Sequence, residues 1–198
     1  MAGRFAEVIE ALEKSLRQSV ALRAWLRARR WCGDALGPKT EFLVKDRAFL
    51  GEAEGEAVAF FLAVVRDPNA SLPMHIPLAV SAAKPEPEAF ELPVGSERFF
   101  VTEGERTETF ARFLADGFRD GLSIRTAGGD VLHFSGESIG AFRSYDPRAE
   151  DSSNVLVRVA TSEGEVVFKS YKLLDIRNRE PEILLRLHQG KFRHARIP

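Results

Sequence analysis

The chain has 198 residues, 44% hydrophobic and 29% charged, with a formal net charge of -1. Those proportions exclude disordered and fibrous classes and allow one good core or two small ones. The balance gives no electrostatic case for a nucleic-acid partner, although residues 151–198 hold nine Lys/Arg against six Asp/Glu and the charge is uneven.

Cys32 is the only cysteine, so no intramolecular disulfide and no cysteine-based metal cluster forms. A buried small hydrophobe is its expected role. The longest apolar run, AVAFFLAVV at 57–65, is too short for a membrane-spanning helix. Glu7 and Glu10 interrupt any signal-peptide pattern at the N-terminus. A cytoplasmic protein with no membrane partner is expected.

In residues 2–30, Phe5, Val8, Ile9, Leu12, Leu16 and Val20 recur at intervals of three and four, the stripe of an amphipathic helix. WCGDALGPK then marks a turn region. Between 41 and 80 the period changes: EFLVKD, AVAFFLAVV and MHIPLAV, separated by GEAEGE and RDPNASLP, predict antiparallel strands. The segment 81–97, with prolines at 85, 87 and 93, predicts a boundary or long connection. RFFVTEG suggests a short strand. TETFARFLADGFRDG predicts a helix with Phe110, Phe113, Leu114 and Phe118 on one side, as core or as a carbohydrate-stacking surface. LSIRTAGGDVLHF is a hairpin around AGGD. A strand, a polar stretch and a second hairpin turning at TSEGE lead to a last helix, opened near Pro181 and capped by Asp175 or Asn178.

Two charges in GEVVFKSYKLLDIRNREPEILLRL, Lys169 and Glu182, invite a functional reading. In a strand VLVRVA paired with VVFKSY, Val167 and Lys169 share one face while Val166, Phe168 and Ser170 share the other. With Phe168 toward a helix-side core, Lys169 looks into the space under the sheet where a kinase-type small lobe holds ATP. There an ammonium meets the phosphates and a helix carboxylate fixes the ammonium. The alternative is a solvent-facing pair worth roughly 0 to 1 kcal/mol.

ARRWCGD at 28–34, MHIPLAV, and EDSSNVLVRV followed by VVFKSYKLLDIRNREPEILLRL together resemble the N-terminal part of the maltokinases. These are sugar kinases related to aminoglycoside phosphotransferases and often fused to trehalose synthase. The resemblance implies an α+β fold of antiparallel sheets with packed helices, with an N-terminal cap domain over residues 1–90. An intermediate portion and a kinase-like small lobe would follow over 91–198. It makes Lys169 the nucleotide lysine, Glu182 its helix partner, and Ser152, Ser153 and Asn154 the loop near the phosphates. Two departures stand out: Cys32 follows Trp31 and Asp34 follows Gly33 where the family has an aromatic and a lysine, and no G-x-G-x-x-G lies around 150–157.

ATP and Mg2+ are implied for the full-length family member. The carboxylates that orient the sugar hydroxyl and hold magnesium belong to a second lobe, absent here, so no catalytic residue is expected in this chain and its isolated activity should be negligible. The implied partners are that kinase C-lobe and a fused or associated trehalose synthase. The expected function is therefore the N-terminal portion of a kinase making maltose 1-phosphate. A stand-alone binding or regulatory module is the alternative, and nucleic-acid binding through Arg186, Lys191, Arg193 and Arg196 a weaker one. The histidines at 75, 133, 188 and 194 lack metal-ligand spacing, so no metal site is expected.

Overall fold

A computed structural model describes residues 2–32, 40–66, 71–85, 87–146, 155–174 and 182. The architecture is α+β, and every strand pairing is antiparallel. No helix among the described residues is long and apolar enough to cross a membrane.

The N-terminal stripe folds as two helices, α1 (Ala2–Gln18) and α2 (Val20–Arg27). Phe5, Val8, Ile9, Leu12 and Leu16 are buried, but Val20 is 69% exposed and does not continue the stripe. The cause is Ser19, whose extended backbone breaks the helix and whose hydroxyl accepts the Leu22 N–H at 3.1 Å. This N-cap restarts the helix in a new phase, and Leu22 and Leu26 take over the buried positions.

Three long strands follow: β1 (Glu41–Ala53), β2 (Glu56–Arg66) and β3 (Ser71–Ser81). The run AVAFFLAVV lies in β2 and is covered on both sides over its first part, with Leu62 on the second face 37% exposed. Ala57, Ala59, Phe61, Ala63 and Val65 join a core under α1 and α2, while Val58 and Phe60 join a second core on the opposite face. A strand covered on both faces reads as a continuous apolar run rather than an alternating one. Arg47 of β1 ties the sheet to α1 through Glu13 at 2.9 Å and Glu10 at 3.3 Å.

After the proline-rich connection the chain returns to the same sheet as β4 (Phe90–Val94) and β5 (Glu97–Glu103), giving the order β1-β2-β3-β5-β4. The expected boundary at 90/91 therefore falls inside β4, and the first sheet ends at residue 103. The connection itself is docked on α2: Trp25 Nε1 donates to the Glu88 carbonyl at 2.6 Å, and Arg29 pairs with the Glu88 carboxylate at 3.0 Å. Pro93 is tolerable because β4 is an edge strand.

β5 pairs with β3 only over residues 78–81. Farther along the same edge, His75 N–H donates to the Lys172 carbonyl at 3.0 Å and Leu174 N–H to the Pro73 carbonyl at 2.9 Å. Pro73 and Pro77 share the phase of His75, whose N–H points away from β2. Their missing N–H groups therefore cost the β2–β3 ladder nothing. Gly104 leaves β5 against Pro77, where an added Cβ would sit 3.1 Å from the proline's carbonyl carbon.

A single 3-10 turn (Gly104–Arg106) leads to α3 (Glu108–Asp120), capped by Thr107 Oγ1 accepting the Phe110 N–H at 3.2 Å. The hairpin of β6 (Ser123–Arg125) and β7 (Val131–His133) is pinned to β1 by Ala127 N–H to the Arg47 carbonyl and Gly128 N–H to the Asp46 carboxylate. The final sheet has the order β10-β9-β8, from β8 (Phe142–Asp146), β9 (Val155–Thr161) and β10 (Gly164–Ser170). The second core fills the space between the first sheet, α3 and this sheet, with Phe110, Ala111, Ala115, Val157 and Val159 fully inside.

Candidate functional site

The β9–β10 hairpin gives the last sheet two unlike faces. Val155, Val157, Val159 and Thr161 of β9 point inward, and Val166 and Phe168 of β10 pack on the second core beside them. The other face carries Leu156 opposite Lys169 and Arg158 opposite Val167. Val167 is 44% exposed, and Arg158 reaches Glu165 at 3.6 Å. Lys169 is half-buried, and its Nζ lies 5.2 Å from the centre of the Tyr171 ring, within cation–π range. The outer face thus presents an apolar floor of Val167 and Leu156 with an ammonium at its end.

Glu182 is helical and exposed. Ser152, Ser153 and Asn154, expected near the phosphates, lie outside the described residues, as do Arg186, Lys191, Arg193 and Arg196.

Sequence reasoning missed a buried polar cluster directly behind Lys169. Glu105, in the turn after β5, and Lys172, just beyond β10, are each 1% exposed and form an ion pair. Ser170 Oγ donates to the same Glu105 oxygen, Oε1, at 2.7 Å. His75 Nε2 lies 2.9 Å from Ser170 Oγ, while the His75 ring stacks on Phe60 with centroids 4.9 Å apart. The Lys172 ammonium lies 4.9 Å from the centre of the Trp31 ring, and the Trp31 indole N–H donates to Glu103. The cluster joins the end of α2, the first sheet and the tail of β10. One local signal existed: Lys172 has the parity of Phe168 and Ser170, which places it on the core side if the strand's alternation continues.

The order of donors decides what this cluster can do. The Ser170 hydroxyl spends its one proton on Glu105, so His75 is the donor to Ser170 and carries its proton on Nε2. A nucleophilic serine requires the reverse, a histidine acceptor for the serine proton. The arrangement is therefore a positional network and not a hydrolytic one. Burial, reinforced by the nearby Lys172 charge, pushes the His75 imidazole down to about 3, so it is neutral at physiological pH. Burial also raises the Glu103 carboxyl, although Lys172 and the Trp31 hydrogen bond oppose the shift.

Two adjoining cavities of about 320 and 360 Å³ open between the first sheet, the β6–β7 hairpin and the tail of β10, sharing Phe60, His75, Leu132 and Leu174. Lys169, Ser170 and Tyr171 line the smaller one. His133, expected as a sheet side chain, sits in β7 with its Nδ1 2.8 Å from Ser123 Oγ. Phe113, which packs on the second core, and Phe118 meet Phe134 edge-on, all three half-buried. Among the described residues no group of three or more His, Cys, Asp or Glu could hold a metal ion. No family model, curated protein or solved structure matches the chain.

Proposed function

We propose that the chain is the nucleotide-facing N-terminal portion of an ATP-dependent sugar kinase of the maltokinase kind. In this reading α1, α2 and the five-stranded sheet make up the cap, expected over residues 1–90, and the three-stranded sheet is part of the small lobe. The observation that carries this reading is the position of Lys169 on the outer face of the β9–β10 hairpin, beside Val167 and opposite Leu156, while the other face packs on the second core. An apolar floor suits a flat base, and an ammonium at its end suits the α- and β-phosphates. Glu182, on the helix that follows, would hold the lysine in place.

In the reaction, the anomeric hydroxyl oxygen of maltose attacks the γ-phosphorus and the bond to the β-phosphate oxygen breaks. ADP departs, and the hydroxyl proton passes to a carboxylate of a second lobe. Magnesium would be held by the second lobe as well. Lys169 acts by charge and position alone. A trehalose synthase, fused or associated, is the partner this reading favours.

The test is kinetic comparison in a chain carrying both lobes, with thermal unfolding measured on the same samples. Lys169→Ala should lower kcat/KM by about 10²-fold or more with an unchanged unfolding midpoint, since the removed group packs little apolar surface. Turnover near that of the parent would overturn the assignment of Lys169 to the phosphates, whereas no turnover in the parent itself would favour a binding module without chemistry.

A further inference from the structure

We infer that Glu105 is the positioning residue for Lys169, acting through Ser170, Lys172 and the Tyr171 ring between them. Ser170 and Lys172 both converge on Glu105 Oε1 from the core side of the strand. Ser170 and Lys172 meet that oxygen on either side of Tyr171, with a bend at residue 172, while Lys169 and Tyr171, which alternate with them in sequence, meet each other. The Tyr171 ring lies under the Lys169 ammonium, 5.2 Å from its centre. The backbone is held just as firmly: Lys172 and Leu174 are strapped to His75 and Pro73 of β3. Lys169 therefore stands next to a segment, 170–174, that is fixed at its side chains and at its main chain and starts where the β9–β10 pairing ends at Ser170.

The energetics favour a positioning role over a purely cohesive one. A fully buried ion pair loses several kcal/mol per ion in desolvation, and well-packed apolar residues of similar size often serve stability as well or better. Here the arrangement is costlier still, since Glu105 Oε2 is buried without a hydrogen-bond partner among the described residues while both donors crowd onto Oε1. What the carboxylate supplies that an apolar side chain cannot is direction: one acceptor atom that sets the register of two neighbouring donors. The functional meaning of this placement rests on the nucleotide reading; the geometric claim does not, and the two are tested separately.

The experiment uses the 198-residue chain and the NMR shift of the Lys169 ε-methylene protons, which feel the ring current of Tyr171. Tyr171→Leu supplies the zero point. Glu105→Gln combined with Lys172→Met removes both buried charges together, leaves an acceptor for Ser170, and avoids the isolated charge that either single change would bury. The expected result is an unfolding midpoint close to that of the parent together with loss of at least about half of the ring-current shift. A merely cohesive ion pair would leave that shift in place, and its retention in the folded double variant overturns the inference while leaving the kinase reading untouched. If the double variant does not fold, Ser170→Ala decides: movement of the Lys169 shift toward the Tyr171→Leu value supports the assignment, and an unchanged shift overturns it.

Discussion

Replacing His75 by glutamine should flatten the acid side of the stability curve. In the folded chain the imidazole is neutral, donates from Nε2 to Ser170, stacks on Phe60 and sits near the Lys172 charge. Burial lowers its pKa from 6.5 to about 3. A depressed pKa contributes stability that is fully present above the unfolded value and is lost as pH falls, because the unfolded chain takes up the proton first. The loss approaches about 1.4 kcal/mol per pH unit below the unfolded value, so acidification from 6.5 to 4.5 removes about 2 kcal/mol. Glu103 and Glu56 act with the opposite sign: burial raises both carboxyls, so their contribution is greatest below the ordinary carboxylate range and is lost as pH rises. The parent curve alone is therefore a composite, and the difference between parent and variant isolates the histidine. Glutamine keeps an amide donor for Ser170 and loses the ring, which costs a constant amount at every pH. Urea unfolding at half-unit steps from pH 4.5 to 7.5 measures the difference. Parallel curves for parent and His75→Gln across pH 4.5–6.5 would refute the assignment of a neutral, desolvated imidazole.

Two further outcomes are expected. Gly117→Ala should destabilise the fold by about 1–3 kcal/mol despite the better helix propensity of alanine, because the new Cβ would lie 2.8 Å from the Phe134 ring, itself wedged between Phe113 and Phe118; the urea midpoint reads it. Cys32 is buried and its thiol is pushed up to about 12 by burial, against the pull of Arg27. At pH 8 it should resist iodoacetamide in the folded chain and react only as fast as the chain opens.

The parts of the fold that were legible in the sequence are those with local causes. The hairpin around AGGD, the hairpin turning at TSEGE and the helix over 108–120 each carry their own turn or cap chemistry, and each forms where the pattern places it. Val20 reads as part of one helical stripe because a serine inside such a stripe looks like an ordinary polar position, yet here Ser19 caps a second helix and turns Val20 outward. β4 was missed because AFELPV is short and contains a proline, and its pairing depends on β5 and β3 rather than on its own residues. The parity of Lys169 and Val167 needed only the strand's period of two. The Glu105–Lys172 pair needed tertiary knowledge, since charged residues far apart in the chain look solvated until the fold brings them together.

The outer edge of β3 has a consequence for synthesis. Its partner at His75 is Lys172, 97 residues farther on, so a growing polypeptide carries this edge open until that later segment has been made. An unpaired edge invites strands from neighbouring molecules. Pro73 and Pro77 face that edge without N–H groups to offer, and they break the row of donors on either side of His75. The same two residues that look like defects in a strand would then guard the nascent chain against its copies, and replacing them with valine should harm yield in the cell more than it harms the finished fold.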